Sequence, residues 1–163
     1  MCKTLFRGKP TNLIDLDALP EYHKWVKDGW IYGYLIGKDV IVGEIVDFEN
    51  DFFATEFWCR VKPETVGQFT GLRDNNGIGI YEGDIIRYKL FSDKPPSKRP
   101  KKKYISVCRR VCWDNKCASY ELEREYEVRE YPYSTTYNYG WRSDCEVVGN
   151  IHDNPELLEA SNE

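Results

Sequence analysis

The chain has 163 residues, enough for one domain with its own core and short for two independent enzyme domains. Twelve Tyr and five Trp against a single Met suit pleated, half-buried surfaces and argue against an aliphatic helical bundle. A net charge of −4 argues against phosphate binding by bulk electrostatics, and neither an apolar run of about eighteen residues nor a secretory leader is found, so a soluble cytoplasmic protein without a membrane partner is expected.

Leu5 and Phe6 open an apolar stretch that Gly8 and Pro10 end, which predicts an N-terminal strand. A short helix is expected near 20–27: Pro20 suits a first helical turn, Tyr22 and Val26 recur at helical spacing, and Gly29 ends it. Three runs rich in aromatic and β-branched residues follow at 30–36, 40–48 and 52–61, with breaks at 37–39 and 49–51 short enough for hairpins. They predict a β-meander over 1–62. Asp74-Asn75-Asn76-Gly77 is a strong turn signal, and Glu82-Gly83-Asp84 is a second break before the strand Ile85-Ile86-Arg87-Tyr88.

Residues 91–103 read as an exposed loop carrying three prolines and six basic residues. Alternation returns at 104–113, and a loop over 114–117 would set Trp113 opposite Ala118 and Arg110 opposite Glu121. That pairing puts Val111 and Trp113 on the face of Tyr120 and Leu122. Residues 131–140 read as a loop. Val147 and Val148 then form a strand, Gly149-Asn150 a turn, and Asn154-Pro155-Glu156 the start of a helix near 155–160.

These residues resemble the YopX family of phage and prophage proteins. The resemblance is carried by Phe6-Arg7-Gly8, by the string from Pro63 to Leu72 followed by Asp74 and Gly77, and by Ile80-Tyr81-Glu82-Gly83-Asp84-Ile85-Ile86. Val111-Cys112-Trp113-Asp114, Val147-Val148-Gly149-Asn150-Ile151 and Asn154-Pro155-Glu156-Leu157-Leu158 complete it, in family order across nearly the whole chain. It implies a mainly β fold containing a small barrel and a phage or prophage origin. It brings no substrate, cofactor or catalytic residue. The long basic loop at 91–103 and the segment 131–140 depart from the plain pattern and are where features particular to this chain would lie.

Cys108, Cys112, Cys117 and Cys145 do not have zinc-site spacing. On a strand Cys108 and Cys112 share a face about 13 Å apart at about 3.3 Å per residue, and no C-x-x-C knuckle exists. Reduced thiols in small apolar sites, with no metal and no cofactor, are expected. His23 and His152 lack a context for a catalytic base, the carboxylate pairs Asp15/Asp17 and Glu49/Asp51 lack convergent partners, and Gly77 and Gly79 do not precede a helix; no enzyme constellation is recognisable.

Two surfaces remain. Trp30, Tyr32, Phe57 and Trp58 lie in strands with large apolar groups on both faces, more than a one-sided sheet needs; either a second layer covers them or another subunit does. Lys98, Arg99, Lys101, Lys102 and Lys103 could contact phosphates, or could neutralise the strand face of Glu121, Glu123, Glu125 and Glu127. The expectation is a single domain over 1–163, mainly β: the meander at 1–62, then a partly open barrel resembling the Src-homology-three type at 63–163. It would be a non-enzymatic module that self-associates or binds a phage or host protein. Nucleic-acid binding through Lys98–Lys103 is the alternative.

Overall fold

The computed structural model describes residues 4–12, 24–91, 104–123 and 145–159. The chain falls into two compact units, Met1–Gly71 and Leu72–Glu163. The change of character expected at 62/63 thus lies nine residues from the division, which falls inside a strand.

In the first unit, β1 (Phe6–Gly8) is followed by a hairpin of β2 (Val26–Lys27) and β3 (Trp30–Ile36), with Val26 opposite Ile31 and Lys27 opposite Trp30. Its two linking residues, Asp28 and Gly29, have φ of 52° and 76°. Two successive left-handed residues make the turn whose twist matches a hairpin, and Asp-Gly adopts it at little cost. This corrects the end of the helix expected near 20–27, at 26–27, where the chain is strand. Lys24 and Trp25 form one helical turn, Val26 and Lys27 are extended, and residues 20–23 lie outside the described residues. A helix this short has too few internal bonds to compete with a ladder to β3.

Gly37, at φ 65°, turns the chain into β4 (Val40–Val42), the hairpin the sequence predicts. The runs at 40–48 and 52–61 each break once, giving β4 and β5 (Ile45–Phe48), then β6 (Phe53–Thr55) and β7 (Trp58–Arg60). β4 pairs with β7, Ile41 facing Cys59, while β5 and β6 form a separate two-stranded sheet. The main sheet runs in the order β7-β4-β3-β1-β8, where β8 is Gly67–Arg73 and β1 is antiparallel to both neighbours.

Ile31, Ile41, Cys59 and Val61 form the first core, packed by Phe6, Val26, Leu35, Phe57 and Val66. Two close approaches hold it. A Cβ on Gly33 would run into the Val42 carbonyl oxygen and lie 2.9 Å from Ile41 Cγ2. The helical turn Pro63–Thr65 presents Thr65 Oγ1, which donates to the Lys62 carbonyl at 2.7 Å and accepts from the Lys9 N–H at 2.8 Å.

In the second unit, the end of β8 leads through the Asp74–Gly77 turn to β9 (Gly79–Tyr81). Asp74 is buried: its Oδ1 accepts from the N–H groups of Asn76 (2.9 Å) and Ile78 (2.8 Å), its Oδ2 from that of Val147 (3.1 Å). Glu82-Gly83, with Gly83 at φ 82°, turns β9 into β10 (Asp84–Phe91), and the buried Asp84 carboxylate accepts from the Tyr81 N–H at 2.8 Å. Both turns stand where the sequence places them.

β10 lies between β11 (Tyr104–Asp114) and β13 (Glu146–Asn150), with β12 (Ser119–Leu122) outside β11. Ile80, Ile86, Val111 and Cys145 are its core, with Leu72, Tyr88, Tyr120, Leu122 and Val147 against it. This four-stranded sheet ends at β12 on one side and β13 on the other. The mainly β expectation therefore holds, and the sheets are not closed into a barrel. α1 (Glu156–Glu159) follows the Asn150 turn, matching the helix expected near 155–160.

The β11–β12 register differs from expectation by two residues. The turn occupies 115–118, Ala118 takes a φ of 50°, and Trp113 faces Tyr120 while Cys112 faces Glu121. Asp114 stays in the strand, opposite Ser119, because its Oδ1 accepts from the Lys116 N–H at 2.7 Å and closes the turn beyond it. A shift of two preserves side-chain parity. Val111, Trp113, Tyr120 and Leu122 accordingly keep their common face, but Arg110 receives the Glu123 N–H at its carbonyl, 2.7 Å away, and does not oppose Glu121.

Candidate interaction surface

The β5–β6 hairpin grows out of the main sheet at a glycine. Gly43 N–H donates to the Phe57 carbonyl at 3.1 Å and Glu56 N–H to the Glu44 carbonyl at 2.9 Å, so the backbone ladder continues past the end of β4. A Cβ on Gly43 would lie 2.8 Å from the Phe57 ring, so only glycine lets that ring sit against the backbone between β4 and β5. The hairpin base has a polar anchor. Glu56 accepts from Lys24 Nζ at 2.7 Å and from Trp25 Nε1 at 2.6 Å, and the Trp25 ring lies 5.7 Å from that of Phe57. The Lys24 hydrogen bond in particular holds the Glu56 carboxyl below its ordinary range.

Beyond this anchor the side chains are greasy and wet. Phe48 is 74% exposed, Val46 61%, Ile45 59%, Phe52 55% and Phe53 50%. Ile45 faces Thr55, Asp47 faces Ala54 and Phe48 faces Phe53, with a bulge between Ile45 and Asp47. Glu49 N–H donates to the Phe52 carbonyl at 2.9 Å and closes the tip. Two-stranded sheets are marginal in water by themselves, and an exposed apolar strand edge is a template for another chain. Residues 44–56 carry Glu44, Asp47, Glu49, Asp51 and Glu56 and no Lys or Arg.

Of the four aromatic residues singled out by sequence, one is on this surface. Trp58, 72% exposed, stands opposite Val42 beside the hairpin base. Trp30 is buried, with Arg7 Cζ 4.5 Å and Lys9 Nζ 5.3 Å from its ring centroid; two cations cover the ring and leave no open surface. Tyr32 is half-buried opposite Arg7, and half-buried Phe57 packs against the first core. Sequence reasoning missed Ile45, Val46, Phe48, Phe52 and Phe53 as surface. Their signal was Gly43, together with a stretch of thirteen residues in which every charge is acidic.

Lys98, Arg99, Lys101, Lys102 and Lys103 lie outside the described residues, as do Glu125 and Glu127. The described residues contain one group of potential metal ligands. Asp114, Cys117 and Glu121 bring one atom each within 4.8 Å of one another at the β11–β12 turn. Hydrogen bonds account for much of that convergence: the Lys116 N–H, then the Cys117 side chain, hold the Asp114 carboxyl below its ordinary range. Nearby, the Tyr120 hydroxyl is pushed up to about 12 by burial and by Glu82, while its ring meets Trp113 edge-on at 4.9 Å. These are features of a packed turn.

No described helix is long and apolar enough to cross a membrane. The YopX protein family model matches residues 25–159. The crystal structure of protein EF1440 from Enterococcus faecalis is similar over 97% of this chain and 99% of that one, at 20% identity and a TM-score of 0.46. No curated protein matches the chain.

Proposed function

The chain belongs to the YopX protein family, and from that footing we propose that it is a non-enzymatic, phage- or prophage-type protein-interaction module whose contact element is the β5–β6 hairpin. The observation that carries this reading is the exposure of Ile45, Val46, Phe48, Phe52 and Phe53 on one two-stranded sheet. Single apolar side chains are ordinary on a protein surface, but five large ones exposed on one short hairpin favour a binding role. The hairpin is also anchored at its base, where Glu56 accepts from Lys24 and Trp25.

A triple variant, Phe48→Ser with Phe53→Ser and Trp58→Ser, tests the reading. Wild-type assemblies, whether with itself by light scattering or with a recovered partner, should disappear in the variant. In the wild-type assembly the amides of 45–48 and 53–55 should gain protection from hydrogen exchange. Assemblies that survive the triple substitution unchanged would refute it.

A further inference from the structure

We infer that the outer edge of β5 accepts an extended segment of another protein, one that alternates apolar residues with Lys or Arg and adds to the hairpin as a third strand. This rests on the hairpin being the contact element and goes on to name what it contacts. Three observations lead to it.

The first is the open ladder. Among the described residues β5 pairs with β6 alone, so its other edge faces no strand; the Phe48 N–H there is held by Asp47 Oδ1 at 2.8 Å, a bond that an incoming carbonyl would have to replace. Main-chain bonds to such an edge give affinity without demanding a particular sequence, and side-chain chemistry then selects the partner. The second is the apolar content. Ile45, Val46 and Phe48 are all more than half exposed, so a strand laid along β5 would cover apolar groups on both sheet faces.

The third is charge, which favours a different protein over a second copy of this chain, because pairing β5 with itself in any register brings the carboxylates of both copies onto one strand pair. β5 is flanked by Glu44 and Glu49 and contains Asp47, all three exposed. An antiparallel two-fold pairing of β5 with itself, centred between Val46 and Asp47, would set Glu44 opposite Glu49 at both ends. Centred on Asp47, it would set that residue against its own copy. Like charges directly opposite destabilise a strand pair, and acidic residues on an edge strand are a recognised defence against self-pairing. The same carboxylates favour a partner whose polar positions are cationic. They also oppose phosphate backbones and anionic membranes at this edge.

The probes are two short blocked peptides with fluorescent labels, one alternating Val with Lys and Thr, the other carrying Glu in place of each Lys. Binding to the full chain is followed by anisotropy at low and high salt. The Lys peptide should bind saturably, at least tenfold more tightly than the Glu peptide, and weaken as salt rises. Amides of 45–48 should become protected. The triple variant Glu44→Lys, Asp47→Lys, Glu49→Lys, checked for an unchanged melting temperature, should reverse the preference. Equal binding of both peptides, an unchanged preference after charge reversal, absence of binding, or light scattering that shows hairpin-dependent dimers of the chain by itself would each overturn the inference. The last two would leave the hairpin as contact element intact if the Ser variant still abolishes assembly. Assemblies indifferent to that variant would remove both.

Discussion

Phe48 and Phe53 stand directly opposite one another across β5 and β6, yet each keeps half or more of its surface in water. A cross-strand aromatic pair contributes about 0.2–1 kcal/mol to a sheet, far less than burying either ring would. The pair holds the hairpin in shape and leaves its faces available. Phe48→Ser with Phe53→Ser should therefore cost the first unit no more than about 1 kcal/mol in urea unfolding, while assembly is lost. A loss of several kcal/mol would show that these rings belong to a core.

Gly33 should tolerate no side chain. Ala at this position must displace the Val42 carbonyl or Ile41, and overpacking of this kind costs about 1–3 kcal/mol. Gly37 offers the contrast. It has φ 65° with nothing near its missing Cβ, so Gly37→Ala should cost only the left-handed penalty of about 1–2 kcal/mol. Urea midpoints of the two variants, compared side by side, check the ranking.

Asp74 should make the second unit sensitive to acid. Burial pushes its carboxyl up, but the N–H groups of Val147, Ile78 and Asn76 together outweigh burial and hold it below its ordinary range. A depressed folded-state value means stabilisation present above the unfolded value near 3.9, and lost as pH falls through the folded one. Asp74→Ala should lower stability at neutral pH by about 1.5–3 kcal/mol, the range for hydrogen bonds to a charged group. It should also flatten the acid limb of the stability profile, below the unfolded value of about 3.9 where the depressed carboxyl takes up its proton. A variant with an unchanged acid limb would contradict this.

Thiol chemistry should separate the cysteines by burial. Cys117 is exposed, whereas Cys59 and Cys145 are buried, and burial pushes the Cys59 thiol up. Among the described residues, iodoacetamide on native protein should label Cys117 first, with Cys59 and Cys145 modified at the rate of unfolding. Mass spectrometry of the tryptic peptides measures the order. Early modification of Cys59 would show that β4 and β7 part readily.

The strands and most of the turns were legible in the sequence because each rests on a local cause. Period-two alternation set the faces of β10 and β11, and Asp74, Gly77 and Gly83 marked turns through their backbone tolerance. Asp28-Gly29 was equally local, a hairpin signal obscured by the helical spacing of Tyr22 and Val26. The β11–β12 register required knowing that Asp114 would bond the Lys116 N–H from within the strand, which parity alone does not reveal.

The candidate surface was less legible. Exposure of an aromatic residue depends on what the rest of the chain brings to it: Arg7 and Lys9 over Trp30, the first core under Phe57, nothing comparable over Phe48. Of the four aromatic residues singled out, Trp58 is the one that stands exposed. The run 40–48 looks like one strand, but it divides at Gly43, against which Phe57 packs, and its second half pairs in a separate two-stranded sheet.

β1 sits in the middle of its sheet, with Phe6 flanked by Gly33 on one side and Gln68 on the other. A strand threaded between neighbours so far along the chain closes long loops before it gains its bonds, which slows folding. During synthesis, Phe6 and Arg7 must wait until residues 67–68 have left the ribosome before both of their ladders can form. Until then one edge of β1 stands unpaired, a period when a chaperone or a stray strand has its best opportunity.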